Sequence, residues 1–136
     1  MLKKTITYTD YDDVERTETF YFNLSEAELT KMQLETEGGL DKMLQKIVDA
    51  KDIPAVTKVF EDLIKRAYGE KSADGKYFKK SAEISDNFVS TEAYSVLYME
   101  LLSNPEKLAE FITGLLPQRV RGEVEKAAKE NLAAIQ

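Results

Sequence analysis

Hydrophobic and polar positions alternate along the first stretch of the chain. Leu2, Lys4, Ile6 and Tyr8 share one face of a period-2 pattern, and Lys3, Thr5, Thr7 and Thr9 share the other. After Asp10-Tyr11-Asp12-Asp13 the alternation resumes, with Val14, Arg16, Glu18, Phe20 and Phe22 opposite Glu15, Thr17, Thr19 and Tyr21. Thr, Tyr, Phe and Val favour strands and clustered Asp favours turns, so residues 1–23 predict a β-hairpin. A lone hairpin is marginal in water. Its apolar face is therefore expected to pack on helices or its edge to pair with another strand.

The period changes to that of a helix at Ser25. Ser25 and Glu28 form the S-x-x-E capping box, and Leu24 and Leu29 flank it as a hydrophobic staple. Gly38-Gly39 predicts the end of this helix, since two glycines in a helix interior cost about 2 kcal/mol against alanine. A second stripe follows in Leu40, Met43, Leu44, Ile47 and Val48. A third runs through Ile53, Val56, Val59, Phe60, Leu63, Ile64, Ala67 and Tyr68, with Pro54 in its first turn and Gly69 just past its end. It is the longest stripe, which places it at the centre of the core. Gly69 to Ser81 reads as a loop around the tight turn Asp74-Gly75, with room for a small second hairpin.

A short helical turn is expected over Ala82–Phe88. A helix from about Thr91 follows, with Tyr94, Leu97, Tyr98, Leu101 and Leu102 as its stripe. Asn104-Pro105 caps the next, carrying Leu108, Phe111, Ile112, Leu115 and Leu116 to Pro117. The last stripe, Val120, Val124, Ala127, Ala128, Leu132 and Ile135, is thinner and richer in alanine. The expected fold is α+β, mainly α: an N-terminal β-hairpin packed on a bundle of five to six helices. No Pro-, Gly- or Ser-rich linker divides the chain, so residues 1–136 are expected to form a single domain. Within it, 1–23 is the hairpin, 24–116 the helical core, and 117–136 a C-terminal helix able to detach.

Composition narrows the chemistry. Of 136 residues, 43% are hydrophobic and 32% charged, which fits a globular chain and not a disordered one. The net charge of -6 argues against nucleic-acid binding, which needs clustered Lys and Arg. No apolar run approaches the length of a membrane span, and no signal peptide is expected. Cys and His are both absent, which removes disulfides, thiolate ligands, a Cys nucleophile and the commonest general base.

The remaining motifs fail on inspection. Counting from Asp10, a calcium loop would put Val14, Glu15 and Tyr21 where an oxygen ligand, Gly and Glu are required. Gly69-Glu70-Lys71-Ser72 lacks the glycine spacing and the preceding strand of a phosphate loop. The aromatic residues fall mostly on core stripes, and the one local basic patch is Lys76-Tyr77-Phe78-Lys79-Lys80. No catalytic, cofactor-binding or metal-ligating residues are therefore assigned, and no enzymatic role is expected. The exposed hairpin edge and the thin terminal helix are the candidates for self-association or partner binding, through Tyr8, Phe20, Phe22, Val120, Val124 and Leu132.

Several strings carry a family resemblance. They are Leu2-Lys3-Lys4-Thr5-Ile6-Thr7-Tyr8-Thr9-Asp10-Tyr11-Asp12, Val14-Glu15-Arg16-Thr17-Glu18 and Phe20-Tyr21-Phe22-Asn23-Leu24. Further on come Thr36-Glu37-Gly38-Gly39, Ala67-Tyr68-Gly69-Glu70-Lys71-Ser72 with Asp74-Gly75-Lys76, and Thr91-Glu92-Ala93-Tyr94-Ser95. Over about Met1 to Leu116 the chain resembles tail assembly chaperones of long-tailed bacteriophages and prophages of Gram-positive bacteria. The family often has Gly where this chain has Asp13. The resemblance implies a non-catalytic assembly factor in the cytoplasm of the bacterial host. Such a factor would bind and solubilise the tape measure protein, help recruit tail tube subunits and form a homo-oligomer, with no cofactor, nucleic acid or membrane involved. The alternative of a different class is a small acidic phage regulator that inhibits a host protein by surface mimicry.

Overall fold

The computed structural model describes residues 1–35 and 53–117. Strands β1 (Leu2–Thr9) and β2 (Glu15–Phe22) pair antiparallel, in register from Leu2↔Phe22 to Thr9↔Glu15. The turn between them is built by Asp10. Its Oδ1 accepts from the backbone N–H groups of Asp12 and Val14, both at 2.9 Å, and its Oδ2 pairs with the Arg16 guanidinium. Asp13 sits at φ 61°, in the left-handed region that glycine enters most easily, which is the position where the resembled family often has Gly. Aspartate tolerates this region better than most residues, so the hairpin closes without the glycine.

The hairpin is half of a larger sheet. Helix α2 (Ile53–Ala67) ends one residue before β3 (Tyr68–Lys71), which pairs with β2 through Tyr21↔Gly69 and Phe22↔Tyr68. β4 (Phe78–Lys79) pairs in turn with β3, giving the antiparallel order β1-β2-β3-β4. The small second hairpin that the sequence left room for within Gly69–Ser81 is therefore formed, and it starts one residue earlier, at Tyr68, which opens a strand rather than closing the helical stripe. The free edge of β2 supplies the reason: it offers unpaired backbone groups that β3 satisfies. Gly69 is required by close approach and not by a helix cap. A Cβ there would lie 2.7 Å from Phe78 Cε2 and 2.8 Å from the Lys79 carbonyl oxygen.

The remaining described helices are α1 (Glu26–Glu35), α3 (Ala82–Val89), α4 (Glu92–Ser103) and α5 (Pro105–Leu115). The caps of α1 and α5 are those read from the sequence, and those of α3 and α4 are supplied by the structure. The Ser25 N–H donates to Glu28 Oε1 at 3.0 Å and the Glu28 N–H to Ser25 Oγ at 3.1 Å, closing the capping box. Ser81, Thr91 and Asn104 accept from the first turns of α3, α4 and α5. The described helices form a layer: α4 and α5 pack on β1, while α3 packs on β3 and bridges α2 to α4. The architecture is α+β, a four-stranded sheet with five helices among the described residues. The expected α+β class and N-terminal hairpin are present, and the sheet extends beyond the hairpin to four strands. The expected helix over Leu40–Val48, its Gly38-Gly39 boundary and the C-terminal helix beyond Pro117 lie outside the described residues.

The core forms where the even-numbered face of the first hairpin meets the helices. Ile6, Phe20 and Phe22 are buried there, whereas Thr5, Thr7, Thr17 and Thr19 face solvent. Phe22 is 0% exposed, and its ring meets Tyr68, Phe88 and Phe111 at centroid distances of 5.6, 5.6 and 5.3 Å. Phe60, Leu63, Ile64 and Ala67 of α2 are buried as their stripe requires. The aromatic hub, however, is shared by β2, β3, α3 and α5 rather than built on α2, because the sheet delivers Phe20, Phe22 and Tyr68 together.

Candidate interaction surfaces

The structure distributes the sequence-derived candidates unevenly. Phe20 and Phe22 are committed to the chain's own core: Phe20 lies 5.2 Å from the Phe88 ring, and Phe22 is closed off by three rings. Tyr8 is half-buried on the same face near the outer strand's end, and its hydroxyl donates to a Glu18 carboxylate oxygen. That hydrogen bond, more than burial, raises the Tyr8 hydroxyl above its ordinary value. Val120, Val124 and Leu132 lie outside the described residues. The structure thus brings Tyr8, Phe20 and Phe22 to one face, with Tyr8 at its rim.

The basic patch at 76–80 is divided by the second hairpin. Lys80 turns inward, with Nζ donating to the Asn23 carbonyl and to Glu28 Oε2, both at 2.6 Å. Burial pushes the Glu28 carboxyl up, but Lys80 and the Ser25 N–H outweigh it and hold the group below its ordinary value. Phe78 is half-buried against Gly69, while Tyr77 is 64% exposed between the exposed Lys76 and Lys79.

Helix α4 carries the largest unanticipated feature. Its inner face is Ala93, Leu97 and Leu101, all buried. On its outer face Val96, Met99 and Leu102 stand 40%, 61% and 40% exposed. Leu102 was expected inside with Leu101. The helix is apolar nearly all round, so periodicity alone could not choose its buried side. The one available signal was that Val96 and Met99 lie off the Tyr94, Leu97, Tyr98, Leu101 stripe.

Two depressions lie among the described residues. One of about 520 Å³ is lined by Met1, Asn23, Leu24, Ser25, Glu26, Leu116 and Pro117. A smaller one of about 160 Å³ holds Lys4, Glu100 and Lys107. Glu100 Oε1 lies 3.2 Å from Lys4 Nζ and 3.3 Å from Lys107 Nζ, so the one carboxylate pairs with both ammonium groups. Burial raises Glu100, but the two ammonium groups overcome it and keep the carboxyl below its ordinary value. Tyr94 is pushed up to about 12, by burial first and then by the charge of Glu61, and stays protonated near neutral pH. Among the described residues no group of three or more carboxylates could hold a metal, and no helix is long and apolar enough to cross a membrane.

Among the described residues the surface carries exposed apolar positions on α4, an aromatic tip between lysines, and an outer β1 edge with no further strand paired to it. A family profile described as phage tail assembly chaperone matches residues 1–135. No curated protein and no solved structure matches the chain.

Proposed function

The chain belongs to the phage tail assembly chaperone family, and from that premise we propose that it binds the tape measure protein, keeps it soluble and helps recruit tail tube subunits to it. The observation that carries this reading is a family match spanning residues 1–135. It is supported by apolar positions left on the outer face of α4, which suit a long, helical, aggregation-prone client. The net charge of -6 keeps a protein with such a surface dispersed. The work is done by binding, without catalysis, cofactor, nucleic acid or membrane. It takes place in the cytoplasm of the bacterial host, with the chaperone as a homo-oligomer.

Co-expression tests it. The cognate tape measure protein should stay soluble and co-purify with this chain. The complex should survive about 0.5 M salt, where the Debye length falls to roughly 4 Å and exposed ion pairs weaken. A tape measure protein that remains insoluble at every dose, together with a basic host protein captured and then released by salt, would replace this reading with that of an acidic inhibitor.

A further inference from the structure

Two exposed patches of opposite character lie at opposite edges of the sheet. At the β4 edge, residues 71–79 contain three lysines, all exposed, and one aspartate. The tip of this second hairpin is rigidly built. The Ser72 N–H donates to the Tyr77 carbonyl at 2.9 Å and the Tyr77 N–H to Ser72 Oγ at 3.0 Å. The Ser72 hydroxyl in turn donates to Asp74 Oδ1 at 2.7 Å, and Gly75 closes the turn at φ 77°. This frame holds out Tyr77 at 64% exposure, with Lys76 and Lys79 exposed on either side.

The helices on β1, α4 and α5, carry the opposite charge. Residues 92–117 contain four carboxylates and a single lysine, Lys107, and Glu100 pairs with both Lys107 and Lys4, which leaves Glu92, Glu106 and Glu110 outside that cluster. Among them, the outer face of α4 presents Val96, Met99 and Leu102, with Glu92 one turn before Val96 on the same side.

We propose that the β3–β4 tip of one copy docks on the outer face of α4 of a second copy, with Tyr77 seated over Val96, Met99 and Leu102 and its flanking lysines facing the acidic helices. Each patch supplies what the other lacks. A preorganised aromatic residue is a low-entropy anchor, an apolar helix face with a flexible methionine adapts to it, and opposite charge fixes the orientation. The two patches are different surfaces, so the contact is head-to-tail. Each added copy leaves one tip and one α4 face free, and the assembly grows as an open chain or closes as a ring. Pairing through the open β1 edge would instead join like surfaces and stop at a dimer. The proposal rests on the homo-oligomer reading above and specifies its contact.

Size-exclusion chromatography with light scattering tests it on the full chain. The wild-type mass should rise with concentration, and less so as salt is raised. Tyr77→Ser and Met99→Ser alter exposed side chains, so both should keep the wild-type melting temperature while association weakens about tenfold or more. The equimolar mixture is decisive. The intact tip of the Met99→Ser copy meets the intact α4 face of the Tyr77→Ser copy, so a dimer forms and nothing larger. A wild-type chain that stays at single-copy mass to about 1 mM would overturn both the contact and self-association. Variants that associate like wild type, or a mixture that stays at single-copy mass while the wild type assembles, would overturn the contact alone.

Discussion

Truncating Phe22 to Ala separates a core role from a partner-binding role for the hairpin's aromatic residues. Phe22 is 0% exposed and sits between Tyr68, Phe88 and Phe111, with the nearest ring centroid 5.3 Å away. Removing a buried Phe ring costs about 3–5 kcal/mol from lost transfer energy and the cavity left behind. The contacts with Tyr68, Phe88 and Phe111 are edge-to-face, so the upper part of that range applies, about 4–5 kcal/mol. With a urea m-value near 2 kcal/mol/M, the unfolding midpoint should fall by about 2 M. Phe22→Leu keeps most of the volume and should lose much less than Phe22→Ala. Phe111→Ala combined with Phe22→Ala should be non-additive by about 0.5–3 kcal/mol, since the rings share one cavity. Urea unfolding followed by circular dichroism reads all of these. A Phe22→Ala midpoint shift below about 0.5 M would refute the core assignment and return Phe22 to the surface as a binding residue.

Three further outcomes follow from the same structure. Gly69→Ala should destabilise by about 1–3 kcal/mol in thermal unfolding, because the new Cβ at 2.8 Å from the Lys79 carbonyl oxygen forces β4 away from β3; an unchanged melting temperature would refute that close approach. Asp13→Gly should stabilise by up to about 1 kcal/mol by relieving the left-handed backbone at φ 61°, and a loss of stability would show that the aspartate side chain matters more than the backbone. Glu28 has a carboxyl held below its ordinary value of 4.5, so its folded-state contribution is present above that value and is lost as pH falls through the lower, folded value. The urea midpoint difference between wild type and Glu28→Gln should therefore shrink between about pH 7 and pH 3, and a constant difference would refute the Lys80–Glu28 pairing.

The sequence by itself determined the local elements, because the interactions that make them lie within a few residues. Ser25 and Glu28 close their capping box, Asp10 and Asp74 close their turns, and Asn104 caps α5, all over separations of two to four residues. Period-2 alternation also placed Phe20 and Phe22 on the correct face of the sheet. Its strings placed the chain in its family, which no catalytic motif could have done. Tertiary structure alone decided which surfaces remain free. Tyr68–Lys71 became a strand because it lies along the open edge of β2, a partner far away in sequence that no local pattern encodes. The same packing seals the rings of Phe20 and Phe22 against α3, turns Lys80 inward to Glu28, and leaves Val96, Met99 and Leu102 outside. A helix that is apolar on every side has no preferred buried face until its neighbours choose one. Here β1, α3 and α5 cover the side carrying Ala93, Leu97 and Leu101, and Val96, Met99 and Leu102 on the opposite side stay exposed.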